Sequence, residues 1–524
     1  MSGIDYIQNQ LGAGYIIIDG LLKGEFTNEE NKLGIVSSFD EFDPIVGKKS
    51  DLESLVKLFH KRNMKVMISM DFGSISKMSY IAKTTSNLIS IDDASQNYSG
   101  RGGSPAKYTT NKRTYVNTGD ESMVNLNLSS TQVLSYIKNA LQVYLKMDVD
   151  GFLLKGVAFY HPEYLKGNTR LANSSNVWFD AFPSGMLYTN KSVEFVKWFT
   201  DFIKEHLTKY EKQRVIMIDP GNTGYGSANN DEIGLKYLSA TNANLQLVGR
   251  QFVANRGWKA IPIDYTWSVN SFENYFKEVK SYSNNIALAT GTPSDLGDMK
   301  FTSAASVLML PGSPIVFAGT EIAVPLEISR APPKEIYPKG KVLFPDLSSD
   351  DTTVPIQVPM PWSQTGEGFS SRNESLSKSF YDYLSSFNIT DTVQLATASN
   401  RKSSRFSMFK SLIEIRKEHP SLKWGKLEKF TKHVGPNGLG QLEVFVRKAE
   451  GYPAVAVVLN DPQLGYIYHI ESSSLQFGEY CEKMKVLFVY AQKSHLKVGD
   501  VLHASNIYIE TGRTESVFVF LCLS

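Results

Sequence analysis

Cysteine is almost lacking: two residues in 524, Cys481 and Cys522, both near the end of the chain. Two thiols are too few for a disulfide scaffold, and they leave open either one bridge or two separate buried thiols. An excess of charge of one sign is lacking too. Lys and Arg number 55 against 53 Asp and Glu, a net charge of +2, which argues against nucleic acid or an anionic membrane surface as a partner. No window approaches the roughly 20 uninterrupted apolar residues of a membrane span. The opening Met1-Ser2-Gly3-Ile4-Asp5-Tyr6 has no signal-peptide form.

What is present is a cadence. Tyr15-Ile16-Ile17-Ile18, Val66-Met67-Ile68, Gly151-Phe152-Leu153-Leu154, Val215-Ile216-Met217-Ile218, Ile286-Ala287-Leu288-Ala289 and Pro314-Ile315-Val316-Phe317 are short apolar runs. Such runs suit strands buried on both faces. Between them stand helical stripes: Leu52, Val56 and Phe59; Val133, Ile137, Leu141 and Leu145; Phe195, Phe199, Phe202 and Ile203. Strand and helix alternating in this way predict a parallel α/β barrel or a doubly wound sheet. Residues 76–121, rich in Ser, Thr, Asn and Gly, break the cadence and predict an insertion. After Trp424-Gly425 the texture turns to β-type runs separated by Gly, Asn and Asp, which predicts an antiparallel sandwich over 424–524 behind a barrel over 1–423.

Several segments, in order, resemble the α-amylase/α-glucosidase family. Phe39-Asp40-Glu41-Phe42-Asp43-Pro44 with Gly47 resembles its Asp-Pro-x-x-Gly linker. Asn125-Leu126-Asn127-Leu128 resembles the signature closing its inserted domain. Leu310-Pro311-Gly312-Ser313-Pro314 with Gly319-Thr320-Glu321-Ile322, Pro359-Met360-Pro361-Trp362 with Gly368-Phe369-Ser370, and Leu412 to Pro420 resemble its later barrel segments. The resemblance implies a (β/α)8 barrel of the TIM type. It places the family's first strand ahead of a helix at Ile4–Leu11, where only three residues stand, so that strand is expected to be missing.

Val149-Asp150-Gly151-Phe152-Leu153-Leu154-Lys155 resembles the fourth strand, where the family carries its nucleophile Asp; here the position is Lys155. The acid/base Glu is matched by Asp219, one methylene shorter, and the Asp after the seventh strand by Thr292. On the third strand Ser69, Gly73 and Ser74 replace Asp, Asn and His. The family's retaining chemistry needs two carboxyl groups about 5–5.5 Å apart. Exchanging an anion for an ammonium about 4 Å from an oxocarbenium-like centre costs roughly 8 kcal/mol at an effective dielectric near 20, about a millionfold in rate.

By this resemblance the degenerate positions Lys155, Asp219 and Thr292 imply no catalysis and no cofactor or metal. They point to the heavy subunits of heteromeric amino acid transporters. The chain would then be the extracellular ectodomain of a type II plasma-membrane glycoprotein, disulfide-linked through an upstream Cys to a multi-span light subunit. Asn97, Asn127, Asn173, Asn190, Asn373 and Asn388 lie in glycosylation sequons that permit this. Two alternatives stand beside it: an α-glucosidase-like hydrolase with a displaced carboxylate set using Asp219 and Asp295, and a carbohydrate-binding protein on a dead barrel.

Overall fold

The computed structural model describes residues 3–24, 36–44, 46–91, 107–110, 113–116, 123–157, 160–162, 189–219, 241, 245–248, 286–289, 301–322, 362, 397, 404–434, 441–461, 469–471, 477–492, 494–510 and 514–523. They fall into two compact units, Met1–Leu247 with Ala331–Val354, and Val248–Arg330 with Pro355–Ser524. The strands beyond 424 thus share a unit with residues 248–330.

The first unit is built on parallel strands β1 (Tyr15–Ile18), β2 (Lys65–Met70), β3 (Gly151–Leu154), β4 (Val215–Ile218) and β5 (Leu245–Val248). Each pairs with the next, so spatial order follows chain order. Helix α1 (Lys49–Lys61) links β1 to β2, α2 (Thr131–Lys146) leads into β3, and α3 (Asn190–Lys204) leads into β4. Their apolar stripes decide the packing. Val56, Phe59, Ile137, Leu141, Phe195 and Phe199 are buried in one cluster with Val66, Ile68, Phe152, Leu154, Ile216 and Ile218 from the strands. Each such side chain contributes roughly 1.5–3 kcal/mol on burial. The start of α3 is set by Thr189, whose Oγ1 accepts the Ser192 amide at 3.2 Å.

Strand side chains alternate between two faces. Since Val66, Ile68, Met70, Phe152, Leu154, Ile216 and Ile218 face the helices, their neighbours face the barrel interior. Met67, Leu153 and Met217 fill that interior. Asp150, just ahead of β3, fastens the N-terminal side: its carboxylate accepts from the Val66 amide at 2.9 Å, lies 2.9 Å from Lys65 Nζ and sits 2.7 Å from His60 Nε2.

The expected helix near Ile4 is present as helical turns over Gly3–Asp5 and Tyr6–Gln10. No strand precedes β1 among the described residues. The described parts of the insertion carry strands that its composition does not suggest. Ser90–Ile91, Arg113–Val116 and Lys107–Thr110 form an antiparallel sheet. Ser74–Ser76 pairs with Met123–Asn125 and brings the two ends of the insertion together.

In the second unit, β6 (Ile286–Ala289) and β7 (Ser313–Ile315) are parallel. Helices α4 (Phe301–Met309) and α5 (Arg405–Glu418) belong with them. An antiparallel sheet runs Lys426–Val434, Gln441–Lys448, Val455–Asp461, Ser516–Leu523, Lys483–Tyr490, Val501–His503 in spatial order. A two-stranded sheet of His469–Glu471 and Tyr508–Glu510 stands beside it, with Ile507 and Ile509 buried among the apolar side chains of the larger sheet. The sheet is tied to α4. Arg447, fully buried, donates to the Met309 carbonyl at 2.7 Å and to the Gly425 carbonyl. Phe301 stacks edge-on against Tyr490 with ring centroids 4.8 Å apart. Cys481 and Cys522 are bonded, with Cα atoms 5.6 Å apart. No helix among the described residues is long and apolar enough to cross a membrane.

Candidate active site

Four adjacent barrel strands end in the same way. The residue after β1 is Asp19, after β2 Asp71, after β3 Lys155 and after β4 Asp219. The alternation that turns Val66, Ile68 and Met70 toward the helices turns all four toward the barrel interior at its C-terminal end. That end is where TIM-barrel enzymes carry their chemistry. The ladder continues through these positions. The Lys155 amide donates to the Met70 carbonyl at 2.8 Å, and the Asp219 amide to the Leu154 carbonyl at 2.7 Å. Asp71, Lys155 and Asp219 therefore stand side by side on successive strands.

Electrostatics gives the carboxyls different properties. Burial alone would raise Asp19, but attraction to Lys155 and a hydrogen bond from it outweigh this. With help from the Gly20 amide and the Ser69 hydroxyl they hold Asp19 below the usual carboxylate value. Lys155 Nζ lies 2.7 Å from Asp19 Oδ2, and about a third of each side chain remains open, 31% and 38%. Asp71 goes the other way. Desolvation is the largest effect on it, and the charges of Asp219 and Asp19 add to it. The Gly73 amide, 2.8 Å from Oδ1, and the Lys155 charge oppose it, and the carboxyl settles at about 6. Asp219 is buried, and its backbone carbonyl accepts the Val157 amide at 3.1 Å. A carboxyl that holds its proton up to about 6 beside another, Asp19, held below the usual value is an arrangement suited to acid/base work.

Of the residues singled out from sequence, Lys155 and Asp219 come together here. Thr292 and Asp295 lie outside the described residues, as do Asn97, Asn173, Asn373 and Asn388. Asn190 is exposed at the first turn of α3. The Asn127 side chain is engaged, its Oδ1 accepting from the Ser129 amide and lying 3.2 Å from His161 Nε2. Asp19 and Asp71 were not among the expected residues. Their signal was an Asp directly behind a buried apolar run, repeated at Ile18-Asp19, Met70-Asp71 and Ile218-Asp219. Among the described residues, no group of three or more His, Cys, Asp or Glu is placed to hold a metal ion.

The family described as alpha amylase, catalytic domain, matches residues 3–425. The chain belongs to the alpha-amylase family. Solved structures of similar fold include three sugar-converting enzymes. Trehalulose synthase from Pseudomonas mesoacidophila has 15% identity and a TM-score of 0.69, over 99% of this chain and 93% of that one. Trehalose-6-phosphate hydrolase from Bacillus licheniformis has 14% identity and a TM-score of 0.66, over 99% and 94%. An isomaltulose synthase mutant from Erwinia rhapontici, solved with its natural substrate sucrose, has 15% identity and a TM-score of 0.69, over 99% and 93%. At these identities the likeness shows the fold: an alpha-amylase-family barrel followed by an antiparallel β domain. No curated protein matches significantly by sequence.

These matches correct the expectation of a non-catalytic, plasma-membrane transporter subunit. The family model that covers the barrel is that of a catalytic domain, and the full-length structural matches are enzymes. The expectation took account of the family's usual positions and of Asp295, and not of the carboxyls that end β1 and β2. Lys155 does stand at the end of β3, but it does not leave the barrel mouth without carboxylates, because β1, β2 and β4 each supply one. Its ammonium also does not act as a lone cation. Held 2.7 Å from Asp19, it presents a dipole to anything farther away, and about half of the roughly 8 kcal/mol assigned to a bare charge exchange, the part due to the ammonium, cancels.

Proposed function

We propose that this alpha-amylase-family chain is a glycoside hydrolase acting on α-glucosidic bonds, with Asp71 as proton donor and Asp219 as the second carboxylate. The observation that carries the reading is the ring Asp19, Asp71, Lys155, Asp219 at the C-terminal strand ends, in which Asp71 retains its proton up to about pH 6. A protonated carboxyl can hand its proton to the departing glycosidic oxygen, and an ionised one can activate water or attack the anomeric carbon. Lys155 and Asp19, locked to each other, keep the ammonium from pairing with either working group. The substrate class follows the structural neighbours, whose names refer to trehalulose, trehalose 6-phosphate and sucrose. The Cys481–Cys522 bond fits folding in an oxidising compartment, and we place the activity there.

Incubating the protein with p-nitrophenyl α-glucoside, maltose, trehalose and sucrose tests the reading. Release of glucose by the intact protein and its loss in Asp71→Asn and Asp219→Asn would support it. Sugar binding without turnover would replace it with a carbohydrate-binding role.

A further inference from the structure

We infer that Asn125 is a positioning residue for the proposed proton donor: from the closing strand of the insertion it holds the turn on which Asp71 presents its carboxyl. The inference rests on the hydrolase reading and follows from the hydrogen bonds around that one turn.

The chain leaves β2 through Asp71-Phe72-Gly73-Ser74, and three successive peptide groups there are held from three directions. The Phe72 amide donates to the hydroxyl of Tyr160, at 3.3 Å, from the loop after β3. The Gly73 amide donates to Asp71 Oδ1 at 2.8 Å and closes an Asx turn. The Gly73 carbonyl accepts from Asn125 Nδ2 at 2.8 Å. Gly73, Asn125 and Tyr160 are all buried. Asn125 is itself fixed in place. It stands opposite Ser74 where the two ends of the insertion pair. Its carbonyl accepts the Ile89 amide at 3.2 Å, and Val124 and Leu126 on either side of it are fully buried.

Glycine is the residue about which a backbone turns most freely. The Gly73 amide therefore keeps its aim at Asp71 only while the peptide on the other side of Gly73 is held, and Asn125 holds that peptide. The amide is worth holding. Of the influences that oppose desolvation of the Asp71 carboxyl, it is the largest. Without the Asn125 donor the buried Gly73 carbonyl would have to seek another partner, and the turn would rotate with it. Closure of the insertion and the aim of the acid are thus one arrangement.

Carbon-13 NMR of the Asp71 carboxyl in the full chain tests this, with the signal assigned by Asp71→Asn. Asn125→Ala is expected to move the titration midpoint from about 6 toward alkaline pH by about one unit, the worth of a hydrogen bond to a charged group. Asn87→Ala is the control. It removes another fully buried amide of the insertion, whose Nδ2 donates to the Ile81 carbonyl at 3.1 Å, and should leave the midpoint in place. If Asn125→Ala does not fold, Asn125→Ser, which only shortens the donor, should shift the midpoint the same way by less. An unmoved midpoint in the Asn125 variant, or an equal shift in Asn87→Ala, would overturn the role. The alkaline limb of the pH–rate profile should move with the midpoint, kcat changing more than KM. No hydrolysis of any α-glucoside by the intact protein would overturn the hydrolase reading, and the midpoint, which needs no turnover, would still decide whether Asn125 holds Asp71.

Discussion

Lys155 Nζ lies 2.7 Å from Asp19 Oδ2, joining the end of β3 to the end of β1 across the strand that carries Asp71. The pair sits beside Asp71, whose carboxyl is raised, and Lys155 is among the charges that hold Asp71 down. Lys155→Met should therefore push Asp71 higher, moving the midpoint of its titration to more alkaline pH than about 6. Carboxyl titration by NMR, or the alkaline limb of a pH–rate profile, reads this directly. An unmoved midpoint would mean that Lys155 does not act on Asp71.

Asp71 also makes stability depend on pH. Its folded value of about 6 exceeds the ordinary 3.8, so the folded state holds its proton more tightly than the unfolded chain. Below about 3.8 the carboxyl is protonated in both states and costs nothing. The penalty grows between 3.8 and 6 and above that reaches at most about 3 kcal/mol. Asp71→Asn should stabilise the protein at pH 7.5 by up to that amount, and by less at pH 4.5. Denaturant unfolding at the two pH values measures the difference. Stability surrendered at a working carboxyl is a common feature of active sites.

In the second unit Arg447 and Arg416 both end on backbone carbonyls at the exit of α4. Arg447 donates to Met309, and Arg416 to Leu308, Leu310 and Gly312. They satisfy acceptors that a helix C-terminus leaves open. Burial lowers the Arg416 guanidinium to about 10. It also lowers Arg447 well below its ordinary value, and the nearby Arg416 charge adds to the effect. Arg447→Met should cost about 2–4 kcal/mol, because the Met309 and Gly425 carbonyls lose a buried donor. Thermal unfolding gives the value. Gly425→Ala should be as harmful, since a Cβ there would stand 2.3 Å from the Ser421 carbonyl.

The Cys481–Cys522 bond closes a loop with a sequence separation of 41. Constraining such a loop in the unfolded chain is worth about 4 kcal/mol. Reduction, or Cys481→Ser with Cys522→Ser, should lower the denaturation midpoint of the β domain by a corresponding amount. An unchanged midpoint on reduction would show that the bridge carries no stability.

Much of the fold was legible because buried parallel strands are written as unbroken apolar runs and their covering helices as stripes at 3.6 spacing. Tyr15–Ile18, Gly151–Leu154 and Phe195–Ile203 are cases in point. The insertion was harder. Thr109, Thr110, Tyr115 and Val116 lie in short strands whose alternation is lost among Ser, Asn and Gly. The cysteine pairing could not be read because a separation of 41 says nothing of a Cα distance, which decides whether a bond can form. The site was half legible. Lys155 and Asp219 were found by position, but the carboxyls that end β1 and β2 were not weighed. Asp19 and Asp71 fall outside the family's usual positions, and only the strand ladder shows that they converge with Asp219. The enzymatic reading stood second rather than first for the same reason: Asp19 and Asp71 were left out of a field that is the sum over four strand ends.

The most direct test of the central claim is the rate of p-nitrophenyl α-glucoside hydrolysis by the intact protein and by Asp71→Asn, measured side by side from pH 4 to 8. Turnover by the intact protein is expected to fall as pH rises through about 6, with a loss of at least about 10²-fold in the variant. Hydrolysis at the same rate in both, or in neither, would contradict it.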